Sequence, residues 1–289
     1  MLGRTRRIHF VGVGGIGMSG IAELLANLGY DVSGTDARAS EVTGRLAGLG
    51  VGIRIGHDAS AIEGADVVVV SSAIAAGNPE VAEARRRGVP VIPRAEMLAE
   101  LMRLRYGIAV AGTHGKTTTT SMIALVFERA GLDPTAVIGG RLSAFGSNAR
   151  LGRGDYMVVE ADESDRSFLK LSPAIAVITN IDREHMESYG TWEHLQQAFA
   201  EFAGRVPFYG AVVACADDGP VRELLPGLTR RVITYALEDR DADVTGRGMA
   251  LEAFGSSCEV VRRERGAAAA LGRLDLRVPG RHNLLNALG

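Results

Sequence analysis

The sequence is poor in cysteine, tryptophan and lysine, and neither sign of charge is in excess. Its 289 residues include two cysteines, Cys215 and Cys258, too few for a disulfide scaffold or a cysteine-built zinc site. The 32 basic residues against 34 acidic ones give a net charge of -2, so no overall field attracts nucleic acid or a membrane surface. These absences exclude a disulfide-stabilised scaffold and give no indication of a nucleic-acid or membrane partner.

Long hydrophobic runs are also missing. No stretch reaches the roughly 20 apolar residues that span a bilayer. Arg4, Arg6 and Arg7 precede the apolar run from Ile8 to Met18 in the order of a secretion signal, but four glycines interrupt that run. We therefore expect a cytoplasmic protein with no membrane or nucleic-acid partner, and the sequence leaves its oligomeric state open.

Lysine occupies only two of the 32 basic positions, Lys116 and Lys170, and arginine fills the other 30. A lysine ammonium is compact, whereas a guanidinium is planar and wide, so the two are poorly interchangeable where a cation must fit between phosphate oxygens. Lys116 lies in a glycine-rich loop. Lys170 has no comparable surroundings, which favours an ordinary solvated side chain.

The order of the predicted elements indicates two α/β domains. Strands alternate with helices along the first hundred residues, and a second such series starts at Tyr106, which predicts a doubly wound parallel sheet in each part. We place the domains at residues 1–105 and 106–289. Between Asp243 and Val278 short alternating stretches replace this pattern, which predicts an added antiparallel β layer.

The first glycine loop follows the predicted strand Ile8–Val13 and opens a helix. Its glycines would let a phosphate approach the backbone, and Asp36 lies 19 residues beyond the last of them, where a carboxylate can accept from ribose hydroxyls. The motif alone favours an NAD-dependent oxidoreductase. A different nucleotide diphosphate or a tight turn without a ligand also fits. The loop glycines are Gly12, Gly14, Gly15 and Gly17.

The second glycine loop, from Ala111 to Thr118, also lies between a strand and a helix. In a P-loop, backbone N–H groups surround the phosphates, a lysine reaches the β and γ oxygens and a hydroxyl binds Mg²⁺. The usual first glycine is replaced here by Val110, and Gly112 makes the loop shorter. The alternative is a plain helix start with a threonine-rich first turn.

Polar residues follow the next two predicted strands. Glu160 ends the strand DYMVVE, the position of a magnesium-binding acid in P-loop enzymes, and the acidic stretch at 162–165 is either part of that site or a solvated loop. Asn180 and His185 follow the next strand, at the sheet edge where such folds bind ligands. His9, His57 and His194 have no supporting neighbours, and we expect structural or surface roles for them.

Taken together, these motifs resemble the Mur ligase family of peptidoglycan synthesis over nearly the whole chain. The shortened loop GTHGKT is the family's own form, and the first loop is most similar to that of the alanine-adding members. The segments that carry the resemblance are HFVGVGGIGMSGIAE (9–23), VSSAI (70–74), NPE (78–80), RAEML (94–98), AGTHGKTTT (111–119), NARLG (148–152), VVEADESD (158–165), TNIDREHMESYG (179–190) and PGRHNLLNA (279–287).

The resemblance implies a Rossmann-like parallel-sheet domain that binds a UDP-sugar, followed by a P-loop ATPase-type α/β domain with the added antiparallel layer. It also implies site residues. Catalytic roles fall to Lys116, Glu160 and His185, and Mg²⁺ ligands are Thr117, Glu160 and His185. The implied ATP contacts are Gly112, Thr113, His114, Gly115, Lys116, Thr117, Thr118, His282, Asn283 and Asn286. The implied UDP-N-acetylmuramate contacts are Gly12, Gly14, Gly15, Gly17, Asp36, Ser71, Ser72, Arg94 and Asn148.

The reaction that the resemblance implies joins L-alanine to the lactyl carboxylate of UDP-N-acetylmuramate, with ATP and Mg²⁺, through an acyl phosphate. The family's tripeptide-recycling ligase is the alternative within the class, and an NAD-dependent oxidoreductase is the alternative outside it. Family members carry a third domain that binds the amine, and we expect that domain to be missing here. A chain that binds both nucleotides without turnover is therefore a third possibility.

Overall fold

The computed structural model describes residues 2–71, 73–75, 77–142, 147–264 and 266–289, without the side chains of residues 16, 140–142, 147 and 148. Contacts divide the chain into two compact units. Unit 1 comprises Met1–Arg105 and Asp133–Asp155, and unit 2 comprises Tyr106–Leu132 and Tyr156–Gly289. The first unit therefore includes an excursion that the predicted boundary between residues 105 and 106 assigns to the second domain.

Unit 1 contains a parallel sheet with helices between its strands. Its strands are β1 (Arg7–Val11), β2 (Asp31–Asp36), β3 (Gly52–Ile55), β4 (Val67–Val70) and β5 (Val91–Pro93). Its helices are α1 (Ile16–Asn27), α2 (Glu41–Gly48), α3 (Pro79–Arg87) and α4 (Arg94–Met102). The strand order is β3-β2-β1-β4-β5, and every paired strand runs parallel to its neighbour. The carboxyl ends of β1 and β2 consequently meet at one edge, where open α/β sheets bind ligands.

Apolar residues of the strands and of α1 form the core of unit 1. Phe10 and Val68 are fully buried, as are Ile21 and Leu25 of α1, which matches a parallel sheet covered by helices. Asn78 fixes the start of α3, because its side-chain oxygen accepts from two backbone N–H groups of the first turn at 2.9 and 3.2 Å. This cap sets the position of Glu80, which lies in that turn.

The excursion from Asp133 to Asp155 forms a hairpin that the sequence patterns did not predict. Its strands are β7 (Thr135–Leu142) and β8 (Ser147–Arg150), and they pair antiparallel. Both strands contact α1, the helix that follows the first glycine loop. Gly152 is required at the end of the hairpin, because a Cβ there would overlap the backbone of Asp133 and Pro134.

Unit 2 contains a larger sheet that is parallel in one part and antiparallel in the other. Its strands are β6 (Tyr106–Ala111), β9 (Tyr156–Glu160), β10 (Ile175–Ile178), β11 (Ala211–Cys215), β12 (Val232–Ala236), β13 (Val244–Glu252), β14 (Gly255–Glu264) and β15 (Ala267–Leu276). Its helices are α5 (Lys116–Arg129), α6 (Met186–Tyr189), α7 (Trp192–Gly204), α8 (Gly219–Leu224) and α9 (Arg281–Leu288). The strand order is β15-β14-β13-β12-β11-β10-β6-β9.

The change of direction in unit 2 occurs at one strand pair. β12 pairs with β13 in parallel, and β13, β14 and β15 then follow as antiparallel neighbours. The predicted antiparallel strands are therefore confirmed, and they extend the edge of the parallel sheet. The predicted α/β fold class is confirmed for both units. Within the described ranges, no helix is long and apolar enough to cross a membrane.

Candidate functional site

In unit 1, the first glycine loop connects β1 to α1 and is held by the end of β2. The N–H groups of Gly12 and Val13 donate to the Thr35 carbonyl at 2.8 and 2.9 Å. The N–H of Gly14 donates to the Asp36 carboxylate at 2.8 Å. Two consecutive residues of β2 thus fix three consecutive N–H groups of the loop.

Neighbouring side chains leave little room for a Cβ atom at several glycine positions of this loop. A Cβ on Gly14 would lie 2.8 Å from the Asp36 carboxylate, and one on Gly17 would lie 2.6 Å from the Arg94 guanidinium. Gly12 has a φ of 79°, which favours glycine, and a Cβ there would lie 3.1 Å from the Ile74 side chain and 4.0 Å from the Ser71 hydroxyl. A side chain at any of these positions therefore needs its surroundings to move.

Most of the predicted UDP-sugar residues thus lie around one loop. The structure brings Gly12, Gly14, Gly15, Gly17, Asp36, Ser71 and Arg94 to the first glycine loop and its flanks. Ser72 lies outside the described residues, and so does the side chain of Asn148, whose backbone is in β8. The contact of Asp36 with a ribose stays a prediction; in this structure its carboxylate accepts from Gly14.

In unit 2, the second glycine loop connects β6 to α5. Gly112 and Gly115 have φ values of 141° and 82°, in the region that favours glycine. A Cβ on Gly112 would overlap the Thr179 hydroxyl, and one on Gly115 would overlap the Asn286 side chain. The loop therefore follows a close-fitting path that leads into the N-terminus of α5, the end of a helix that favours phosphate.

Lys116, the first residue of α5, has its ammonium folded back over this loop. Its Nζ donates to the carbonyls of Gly112 and Thr113 at 2.7 and 3.1 Å and to Glu163 Oε1 at 2.9 Å. Three donors therefore meet three acceptors. One of the two lysines of the sequence thus lies where the P-loop pattern predicts a phosphate-binding cation.

Glu163 is the charged partner of Lys116, and sequence reasoning did not single it out from the acidic stretch. The glutamate is 2% exposed, and its Oε2 atom is buried with no hydrogen-bond partner among the described residues. Burial raises the pKa of Glu163, and the nearby Lys116 ammonium opposes that rise. The Tyr189 hydroxyl donates to the Glu163 backbone carbonyl at 2.5 Å, and burial also raises the pKa of Tyr189.

The predicted magnesium ligands are brought together in part. The Thr117 hydroxyl lies 3.1 and 3.0 Å from the two Glu160 oxygens, so a hydroxyl and a carboxylate share one edge of the loop. His185 has a φ of 54°, a strained conformation for a non-glycine residue, and its Nδ1 lies 3.8 Å from Glu187. Among the described residues, no group of three or more His, Cys, Asp and Glu side chains could hold a metal.

Asn180 holds the second loop from the neighbouring strand β10. Its side chain accepts from the His114 N–H at 2.7 Å and donates to the His114 carbonyl at 2.9 Å. The Asn180 carbonyl accepts from the Thr113 N–H at 3.0 Å. Sequence reasoning placed this asparagine at the correct sheet edge without giving it a role, and only the three-dimensional structure shows that it clamps the loop.

Helix α9 brings part of the predicted adenine-binding set to the second loop. Asn286 is buried and lies against Gly115, whereas the exposed His282 ring lies against Gly280 and Asn283 donates to the Pro279 carbonyl at 2.7 Å. The start of the helix is anchored by Arg281, which donates to Asp217 at 3.1 Å. Of the three, Asn286 is therefore the residue that the structure places on the loop.

Each unit thus presents a glycine loop between a parallel strand and a helix, an arrangement typical of nucleotide-binding α/β proteins. Two family models match the chain: Mur ligase family, catalytic domain, over residues 7–106, and Mur ligase middle domain, over residues 110–289. The chain belongs to the Mur ligase family.

The chain is also similar to individual proteins whose activities are named. The UDP-N-acetylmuramate–L-alanine ligase of Anaeromyxobacter dehalogenans (strain 2CP-C) is 58% identical over 285 residues, which are 99% of this chain and 61% of that protein. The ligase of the same name from Sorangium cellulosum is 55% identical over 99% of this chain and 60% of that protein. The chain thus spans about 61% of the length of such curated relatives.

Solved structures share the fold closely. The UDP-N-acetylmuramate-alanine ligase of Thermotoga maritima superposes with a TM-score of 0.82 at 32% identity, over 98% of this chain and 63% of that one. A UDP-N-acetylmuramate:L-alanyl-gamma-D-glutamyl-meso-diaminopimelate ligase from Neisseria meningitides gives a TM-score of 0.87 at 30% identity, over 98% of this chain and 91% of that one. Both kinds of ligase therefore share this architecture.

Proposed function

We propose that the chain binds UDP-N-acetylmuramate through unit 1 and ATP with Mg²⁺ through unit 2, as part of a ligase that adds L-alanine to the lactyl carboxylate. The reaction makes a peptidoglycan precursor. Because it consumes ATP, the proposal places it in the cytoplasm. The family match supports this chemistry over the NAD-dependent oxidoreductase that the first loop alone suggests.

The observation that carries the proposal is the position of Lys116. Its ammonium lies over a loop whose glycines permit no side chain, at the positive end of α5. A phosphate chain that enters this loop meets backbone N–H donors and a cation that can turn from the Gly112 and Thr113 carbonyls toward phosphate oxygens. A compact ammonium suits this change of partner.

The donors and acceptors of the loop fit Mg²⁺ as well. Thr117 and Glu160 offer a hydroxyl and a carboxylate oxygen within 3.1 Å of each other, the oxygen ligands that Mg²⁺ prefers beside phosphates. These two residues would hold the ion, which when bound neutralises phosphate charge. His185 is proposed as a further ligand through the family resemblance.

The mechanism that follows is activation of a carboxylate before amide formation. A carboxylate is a poor electrophile, so a lactyl carboxylate oxygen first attacks the γ-phosphorus of ATP, the bond to the ADP oxygen breaks, and an acyl phosphate and ADP are formed. The amine of L-alanine then attacks the carbonyl carbon, the bond from that carbon to the phosphate oxygen breaks, and the nitrogen releases a proton, which leaves the amide and inorganic phosphate. Lys116 stabilises negative charge on the transferred group, and Asn180 keeps the loop in shape, because phosphoryl transfer depends on positioning and charge stabilisation.

The remaining predicted contacts are assigned within this proposal. The first-loop glycines with Asp36, Ser71 and Arg94 bind the diphosphate and sugar part of UDP-N-acetylmuramate. The second loop from Gly112 to Thr118 binds the ATP phosphates. Asn286, together with His282 and Asn283, faces the adenosine part.

The tripeptide-recycling ligase is the second candidate. The Neisseria structure, with a TM-score of 0.87, favours it on fold, whereas curated relatives at 55–58% identity are named as alanine ligases. The two reactions differ in the amine and share both nucleotides.

Calorimetric binding of UDP-N-acetylmuramate, ATP with Mg²⁺, and NADH to the chain tests the proposal. We expect both of the first two ligands to bind. Binding of NADH without affinity for UDP-N-acetylmuramate would contradict it. Phosphate release with L-alanine or with the tripeptide as amine then separates the two ligases, and binding without release for either amine identifies a nucleotide-binding chain without turnover.

A further inference from the structure

A buried glutamate with two histidines lies beneath the first glycine loop. Glu80 of α3 is 0% exposed, and one of its oxygens lies 2.8 Å from His9 Nε2 while the other lies 2.7 Å from His57 Nδ1. The Thr35 hydroxyl donates to the same carboxylate, at 2.9 and 2.8 Å from its two oxygens. We call these four residues the Glu80 cluster.

Hydrogen bonds keep this carboxylate ionised despite its burial. Burial acts to raise the pKa of Glu80, but the hydrogen bonds from His9, Thr35 and His57 together outweigh it and lower the pKa below its ordinary value. His9 is itself 1% exposed, and its Nδ1 lies 2.8 Å from the Ser33 hydroxyl. A buried carboxylate with this many partners holds those partners firmly in place.

The Glu80 cluster reaches the loop through Thr35. The hydroxyl of this residue is bound by Glu80, while its backbone carbonyl accepts from the N–H groups of Gly12 and Val13 at 2.8 and 2.9 Å. The next residue, Asp36, accepts from Gly14 at 2.8 Å. The position of this one threonine therefore sets the orientation of two successive loop N–H groups, and the adjacent Asp36 sets that of the third.

We infer that Glu80 is a positioning residue for the UDP-sugar site, acting through Thr35 on the first glycine loop. Glu80 is fully buried and ties the end of β2 to α3 and to His9 of β1, so that the loop keeps one conformation before the ligand arrives. A preformed loop binds a diphosphate without first being ordered. The inference rests on the proposed function for the identity of the ligand only.

Removal of one hydroxyl tests the inference. In Thr35→Val the strand keeps a β-branched residue and loses the bond to Glu80, whereas Thr35→Ser keeps the hydroxyl. We expect Thr35→Val to bind UDP-N-acetylmuramate about tenfold more weakly, the size of a lost hydrogen bond to a charged group, and Thr35→Ser to restore most of that affinity. ATP binding to unit 2 is the internal control and stays within about twofold of the parent value.

Hydrogen exchange of the loop supplies a measurement that needs no ligand. We expect faster exchange at Gly12, Val13 and Gly14 in Thr35→Val and in Glu80→Gln, with unchanged exchange in α2. Parent-like exchange and affinity in both variants would overturn the inference. Faster exchange throughout unit 1 would also overturn it, because the cluster would then stabilise the whole sheet.

Different results would contradict the positioning role of Glu80 and the proposed function. If the parent chain does not bind UDP-N-acetylmuramate, the proposed function fails, while loop-limited exchange in Thr35→Val still supports the positioning role. If the parent binds the UDP-sugar and both variants match it in affinity and loop exchange, the positioning role fails and the proposed function stands.

Discussion

Each unit has a buried glutamate close to its glycine loop, and the two glutamates differ in their hydrogen-bond partners. Glu80 in unit 1 and Glu163 in unit 2 are 0% and 2% exposed. Glu80 is bound by two histidines and a threonine, and its pKa is lowered. Within the part of the chain that the structure describes, Glu163 has Lys116 on one oxygen and no hydrogen-bond partner on the other, and its pKa is raised.

The difference shows that burial alone does not decide the charge state of a carboxylate. At Glu80 the hydrogen bonds from His9, Thr35 and His57 outweigh burial and lower the pKa, whereas at Glu163 burial outweighs the nearby Lys116 ammonium and raises the pKa. In unit 1 the cluster is complete and supports a loop held by backbone contacts. In unit 2 the charged partner of the glutamate is Lys116, the cation that the proposed reaction needs for phosphate, so we expect Lys116 to change partners when ATP binds.

Replacement of Lys116 is expected to have the largest effect. Lys116→Ala removes the cation of the second loop and leaves Glu163 buried without a charged partner. In other proteins, removal of one member of a buried ion pair lowers the free energy of unfolding by about 3 kcal/mol or more. We expect ATP affinity to fall about 100-fold, measured by calorimetry, while UDP-N-acetylmuramate affinity stays at the parent value.

Lys170→Ala is the matched control, since it removes the other lysine of the chain from a position outside the loop. Full ATP affinity in Lys116→Ala would contradict the role given to this lysine. Equal losses of ATP affinity in Lys116→Ala and Lys170→Ala would show that ATP binding depends on the overall charge of the chain rather than on the position of Lys116.

A side chain in the second loop is expected to have the next largest effect. Gly115→Ala places a methyl group against Asn286 at a φ of 82°. Gly131→Ala has a similar φ of 76° but meets nothing within 4 Å. Both variants lose about 1 kcal/mol for the left-handed backbone, and we expect Gly115→Ala to lose a further 1–3 kcal/mol, roughly, through overpacking. Urea unfolding measures the difference, and equal losses would mean that Asn286 moves aside freely.

Loss of the asparagine clamp is expected to be milder. Asn180→Asp keeps the oxygen that accepts from the His114 N–H and loses the donor to the His114 carbonyl. We expect ATP to bind about tenfold more weakly, because the loop carbonyl then faces a carboxylate. Asn27→Asp, at the exposed last residue of α1 in unit 1, provides a comparison outside the ATP site. If Asn180→Asp binds ATP as tightly as the parent, the hydrogen bonds between Asn180 and His114 do not contribute to ATP binding.

The sequence predicts the fold class and both loops because these features are local. Glycines at fixed spacing, a strand before them and a helix after them can be read from neighbouring residues, and the structure confirms the α/β class with its added antiparallel strands. The hairpin from Thr135 to Arg150 was not predicted, since its packing on α1 involves residues more than a hundred positions away.

The supporting residues of the two loops were missed for the same reason. His9 and His57 were expected to be structural or surface residues, and no local pattern links them to Glu80, which lies 71 positions after His9. Glu163 lies 47 positions from Lys116, and three other acids in its stretch looked equivalent. Pairings across such distances are set by strand order, so the cluster and the ion pair emerge only when the sheets are assembled.

The pH dependence of stability is the smallest expected effect and the most direct test of the comparison. The pKa of Glu163 is raised in the folded state, so folding binds a proton and stability falls as pH rises above the ordinary value of 4.5. The pKa of Glu80 is lowered, so its contribution is present above 4.5 and is lost as pH falls through the folded pKa. The two carboxylates thus contribute slopes in different pH windows and of opposite sign.

Urea unfolding of Glu163→Gln and Glu80→Gln between pH 3 and pH 7 separates these slopes. Each slope is at most about 1.4 kcal/mol per pH unit for one proton. Relative to the parent, Glu163→Gln should gain stability as pH rises past 4.5, and Glu80→Gln should lose stability over the range where the parent carboxylate ionises. Slopes of the same sign would mean that folding shifts the pKa values of both glutamates in the same direction. In that case Oε2 of Glu163 has a hydrogen-bond donor in solution. The two loops would then differ only in the contact with Lys116.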